Sequence, residues 1–254
     1  MQYEISPNIK IDVISNGELN PIHAPVWHLA DGSFKIGDCE DGYELEKLAL
    51  ASAGSYEWYG DAVDTVLFST VSGELHTVVL KLPQRVEIVE KNCFSTRDAL
   101  KQKGIPVLIR KNNFRLEQSD ISIYFTENDT LILALTTDLA AFKYDEIIEI
   151  HKFINIIFYQ GTYVGWLISK ASSFIPYCAA TSDNNLSRLE SPMISKCLTE
   201  YLRYFSQETV VLLDAGDPVI EGKLRKFKSE IATENNKCLG EIELAIDNLI
   251  DTYF

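Results

Sequence analysis

Eleven residues of the chain, GDCEDGYELEK from Gly37 to Lys47, carry five carboxylates and one lysine. That much anionic oxygen could bind a cation, meet a basic surface or solvate a helix start. Calcium is the first test. An EF-hand loop needs oxygen ligands at positions 1, 3, 5 and 12 and glycine at position 6. Counted from Asp38, position 5 is Gly42 and position 12 is Ala49, so the register fails. The histidines do no better as metal ligands. His23 and His28 are five apart around Pro25, whereas a helix would need a spacing of three or four. In an extended segment, residues five apart face opposite sides. His76 opens an apparent strand and His151 lies in an apolar alternation. No GxSxG or P-loop occurs. The sequence therefore assigns no catalytic residue, no metal ligand and no cofactor.

The aromatic run SYEWYGDAVD, Ser55 to Asp64, sets Tyr56, Trp58 and Tyr59 among Glu57, Asp61 and Asp64. Aromatics supply contact area and carboxylates select cationic partners, a composition suited to binding a basic protein. The competing reading makes Trp58 a core residue. A further run, TVVLLDAGDPVIEG from Thr209 to Gly222, is similar to the first motif of methyl-transferring enzymes that use a nucleotide donor. Asp217-Pro218 stands where that motif needs a second glycine, so the stretch reads instead as a buried strand, a turn and an N-capped helix.

The charge is unevenly placed. Residues 1–75 hold 13 Asp/Glu against 3 Lys/Arg, a net of −10 out of −14 for all 254 residues. Such a field repels nucleic acid and anionic membrane and attracts basic proteins. The five cysteines, Cys39, Cys93, Cys178, Cys197 and Cys238, are widely spaced and form no CxxC, which fits reduced thiols. The first residues lack the basic and apolar regions of a signal peptide, and the apolar stretch Ile154–Ile168 is too short and too polar to span a bilayer. The expectation is a cytoplasmic protein.

The elements that must position these groups read as α+β: a largely antiparallel sheet in the first two-thirds and a helical C-terminal region, divided as residues 1–180 and 181–254, with the helical region expected to pack on the same core, as one domain or two. Ile9–Ser15 alternates and meets the turn pair Asn16-Gly17. Asp64–Val71 with His76–Leu82, and Ile121–Phe125 with Leu131–Leu135, read as hairpins. A third pair, 106–111 and 114–118, flanks Asn112-Asn113. Helices are expected at Glu44–Ala53 and Thr96–Lys103, and Tyr144–Ser173 is ambiguous. Ser191-Pro192 and Asp217-Pro218 each look like a helix start, and a last apolar stripe runs from Leu239 to Tyr253, with a break near Asn235-Asn236.

The stretch DGSFKIGD followed by an acidic helix, across roughly residues 26–60, resembles bacterial toxin-immunity proteins in general character. The resemblance implies a cytoplasmic protein that blocks the active site of one basic, nuclease-like toxin. Asp38, Glu40, Asp41, Glu44, Trp58, Tyr59, Asp61 and Asp64 are the expected partner-binding residues, with neither nucleic acid nor membrane as partner. An enzyme with a dispersed carboxylate or metal site, or an adaptor using the C-terminal helices, remain the alternatives.

Overall fold

A computed structural model describes residues 2–21, 23–37, 39, 42–56, 63–91, 99–138, 142–176, 192–234 and 236–254. In chain order the strands are β1 (Tyr3–Ser6), β2 (Ile9–Ser15), β3 (His23–His28), β4 (Ser33–Gly37), β5 (Ser52–Ser55), β6 (Thr65–Ser69), β7 (Leu75–Lys81), β8 (Val86–Val89), β9 (Leu100–Leu108), β10 (Ile121–Phe125), β11 (Thr130–Ala134), β12 (Glu146–His151), β13 (Ile154–Tyr159) and β14 (Thr162–Ser169). Helix α1 (Gly42–Leu50) interrupts them; α2 (Pro192–Arg203), α3 (Gln207–Asp214), α4 (Pro218–Ala232) and α5 (Lys237–Tyr253) follow.

Two sheets result. The smaller, in the order β3-β4-β7-β6-β5, is antiparallel throughout. The larger has nine strands, and β1, β2, β9, β12, β13 and β14 close into a six-stranded barrel. Closure rests on a narrow seam. Glu4 of β1 pairs with Thr162 of β14 in parallel, and the Glu4 amide donates to the Gly161 carbonyl at 2.8 Å. Farther along, β14 leaves β1 and takes β11 as its partner, from which β10 and β8 extend. Gly165 lies at this branch with φ of 148°, and a Cβ there would stand 2.0 Å from the Leu133 carbonyl oxygen. Only glycine lets the two backbones approach so closely.

The expectation of a largely antiparallel sheet is thus corrected: the main sheet is mixed, with parallel pairs β1–β14, β8–β10 and β9–β12, and it closes on itself. Parallel neighbours require long crossovers, and local hairpin signals do not register them. The turn at Asn16-Gly17 also fails to make a hairpin. Asn16 is left-handed, but β2 pairs with β1 and β9 instead. The helix expected up to Lys103 is strand β9 from Leu100 onward, because β12 pairs with its first half, Leu100–Lys103, and β2 with its second, Gly104–Leu108; residues 92–98, with the expected cap, lie outside the described residues. The ambiguous stretch from Tyr144 resolves into β12, β13 and β14.

The C-terminal region is helical as expected. Ser206, Asp217 and Asn236 cap α3, α4 and α5 by accepting from backbone amides in the first turn, satisfying donors that the helix itself leaves unpaired. One apolar cluster joins Trp27, Phe34 and Phe68 of the small sheet to Tyr124 and Trp166 of the large one, and to Leu198, Leu224 and Ile246 of the helices. The helical region therefore packs on the same core as the sheets. Buried hydrogen bonds tie the layers: Trp27 Nε1 donates to the Ala171 carbonyl at 2.7 Å, and the Tyr201 hydroxyl to the Leu29 carbonyl at 2.9 Å. Among the described residues, no helix is long and apolar enough to cross a membrane.

Candidate functional site

Of the eight residues expected to bind a partner, Asp38, Glu40, Asp41, Trp58, Tyr59 and Asp61 lie outside the described residues. Glu44 is exposed in the first turn of α1. Asp64 is fully buried and so presents nothing to a partner in this structure. The register of the small sheet explains how the two stretches part. β4 runs antiparallel to β7, β7 to β6, and β6 to β5. The connection from β4 to β5, residues 38–51, therefore leaves one end of the sheet. The connection from β5 to β6, residues 56–64, leaves the opposite end. Gly37 and Ser52, which bound the first connection, thus lie at the end of the sheet opposite Ser55 and Thr65, which bound the second.

Helix α1 is the described part of the first connection, and its amphipathicity is weak. Only Ala49 is buried, while Tyr43 is 68% and Leu50 70% exposed. Glu44 and Glu46 are exposed beside them, and Lys47 sits over the Tyr43 ring at 5.1 Å. A helix start also favours carboxylates through its dipole. The same exposed helix presents acid and apolar surface together. Its far end is fixed to the sheet: Ser52 Oγ donates to the Leu48 carbonyl at 2.6 Å and lies 3.0 Å from His76 Nε2.

A second site was not foreseen. Between α2 and the β10–β11 turn lies a cleft of about 670 Å³. Ser195, Lys196, Thr199 and Arg203 line one wall, on one face of α2; Glu127 and Asp129 line the other. Asp129 is left-handed, with φ of 51°, and its carboxylate gathers several donors. Ser172 contributes its amide at 3.1 Å and its hydroxyl at 2.6 Å, Ser195 its hydroxyl at 3.4 Å, and Tyr124 its hydroxyl. Burial pushes the Asp129 carboxyl up, while the Ser172 and Tyr124 hydroxyls pull it back. Burial and the adjacent Asp129 charge push the Tyr124 phenol up. In sequence Asp129 is only a turn residue in TENDT; Ser172 and Ser195 are 43 and 66 residues away, so no local pattern announces the cluster.

The chain matches no known family, and no curated protein matches it in sequence.

The chemistry of the cleft follows from its hydrogen bonds. Three hydroxyls and an amide already occupy the Asp129 oxygens, so this carboxylate ties α2, the 3₁₀ turn Ala171–Phe174 and β10 together. To act as a general base it would first have to release a donor. Among the described residues, no group of three His, Cys, Asp or Glu side chains could hold a metal ion.

Proposed function

We propose that this chain is an acidic cytoplasmic binding protein whose α1 surface receives a cationic protein, in the manner of an immunity protein that blocks a basic, nuclease-like toxin. The observation carrying this reading is α1 itself: a nine-residue helix that buries one side chain and turns Tyr43, Glu44, Glu46 and Leu50 outward. An aromatic and an aliphatic side chain flanked by carboxylates suit a partner that offers lysines or arginines around an apolar contact. Asp38, Glu40 and Asp41 immediately precede this helix in sequence and add to its negative field.

The test is co-expression with the products of the neighbouring genes. Protection from a toxic, basic neighbour by the wild-type chain, lost when Tyr43→Ala and Glu44→Lys are introduced together, supports the reading. If no neighbouring product is toxic or bound, or if protection survives both substitutions, the reading fails.

A second reading, favoured by the cleft alone, is an enzyme in which Asp129 positions the Ser195 hydroxyl against a polar substrate. It predicts a ligand-dependent rise in melting temperature that Ser195→Ala removes.

A further inference from the structure

His23 and His28 share a cavity in spite of their spacing. In a regular strand, residues five apart face opposite sides, but β3 is not regular. His23 pairs with Gly37 and Val26 with Lys35, so a step of three residues on β3 matches a step of two on β4. The extra residue is a β-bulge, which re-aims the side chains beyond it. Paired residues stand on the same face of a sheet, as do residues two apart on one strand. His23, Val26 and His28 therefore lie on the face of Lys35. The other face carries the pair Trp27 and Phe34, both buried in the core.

A cavity of about 250 Å³ opens here, lined by both histidines and Lys35. Pro25, Val26, Phe174, Ile175 and Pro176 give it apolar walls. β3 is the end strand of its sheet, and the 3₁₀ turn Ala171–Phe174 packs against it. Among the described residues of the lining, each ionisable side chain other than the Cys39 thiol is a base. Four other clefts each contain glutamate. In a chain of net charge −14, a cavity lined in this way selects for an anion.

We propose that this cavity binds a small monocarboxylate with an apolar body: the carboxylate against His28 and Lys35, the body against Pro25, Val26 and Ile175, and His23 closing the far end. Lys35 pairs with Val26, two residues from His28. Lys35 and His28 are thus diagonal neighbours, roughly 7–8 Å apart along the backbone and within reach of one ligand through their long side chains. Even a neutral imidazole offers one N–H, and bonds to a carboxylate are stronger than neutral ones. Burial and the Lys35 charge push the His28 imidazole down, while Asp31 and Glu241 push it partly back up; a carboxylate between His28 and Lys35 relieves their repulsion. Lys35 and Cys39 make further contacts of their own, so Lys35 contributes chiefly its charge. The volume lies below the roughly 300–1,000 Å³ of sites for larger ligands, which fits a body of one ring or one branched chain. The site takes no part of α1 and stands apart from the function proposed for that surface.

The chain has four histidines, so imidazole ring-proton resonances of the full chain test the proposal. Benzoate or isobutyrate should move the His28 and His23 resonances saturably and leave those of His76 and His151 in place. Benzamide, of the same shape without the charge, should bind at least about tenfold more weakly than benzoate. Lys35→Met should weaken benzoate by a similar factor. Val26→Trp, which fills the cavity, should abolish the response while the His76 and His151 resonances report an intact fold. The comparison of benzoate with benzamide uses the wild-type chain, so it decides even where a variant fails to fold. No saturable movement of His28 with either carboxylate, movement of all four histidines together, equal binding of benzamide, or unchanged benzoate affinity in a folded Lys35→Met chain overturns the proposal.

Discussion

Replacing Asp64 with asparagine should make the stability of this protein respond differently to pH. Burial pushes the Asp64 carboxyl from 3.8 up to about 7, opposed only by the Lys81 amide. Between those values the folded chain holds a proton that the unfolded chain has released. Stability then falls as pH rises, at about 1.4 kcal/mol per pH unit for this one group. The contribution is complete below the unfolded value, declines between about pH 4 and pH 7, and is lost above the folded value. Across that window it amounts to about 4 kcal/mol. Asparagine keeps an oxygen acceptor for the Lys81 amide and carries no charge, so it feels none of this decline. Urea unfolding of both proteins at intervals from about pH 4.5 to pH 8.5 measures the difference directly, and the comparison cancels every other titrating group. Asp64→Asn should gain on the wild type as pH rises to about 7, then hold a constant advantage above it. A difference that stays flat across the range would refute the argument that this carboxyl is buried without a compensating charge.

Other substitutions report on the remaining parts of the structure. Asp129→Ala removes the acceptor shared by Ser172, Ser195 and Tyr124; it should cost about 3–5 kcal/mol and speed hydrogen exchange throughout α2 more than in β12 or β13. Gly165→Ala drives a methyl group into the Leu133 carbonyl, and a loss of at least about 3 kcal/mol in chemical unfolding is expected. Asp217→Ala deletes the cap that accepts from the Val219 amide at 2.7 Å and should cost about 1 kcal/mol, with Asp217→Asn recovering most of it in thermal unfolding.

What the sequence disclosed was local. Asp217-Pro218 marked the start of α4, the break near Asn236 separated α4 from α5, and the polar turn TENDT joined β10 to β11, because each signal acts within a few residues. The segment Val210–Leu213 looked like a strand from its apolar run, yet it lies in α3, where Ser206 caps the helix and only Leu213 of α3 is buried. Leu100–Lys103 had helix-forming residues but became strand because β12 supplies a parallel partner for each of them, from Glu146 to Glu149. Barrel closure depends on Glu4 meeting Thr162, and the Asp129 cluster on Ser172 and Ser195 arriving from distant segments. No composition or spacing carries such pairings. The acidic stretch before α1 was legible as charge. That Asp64 belongs to the interior was not, since a carboxylate beside aromatic residues reads equally well as surface.

We propose that α1 and the carboxylates leading into it receive a cationic protein. It is tested most directly by the association rate with any basic protein that a pull-down from the native cell identifies, measured at low and high salt for the wild type and for a variant carrying Asp38→Lys, Glu40→Lys, Asp41→Lys and Glu44→Lys. At low salt the variant should associate at least about tenfold more slowly, and the gap should close as salt screens the field. Equal association rates at low salt would contradict the claim.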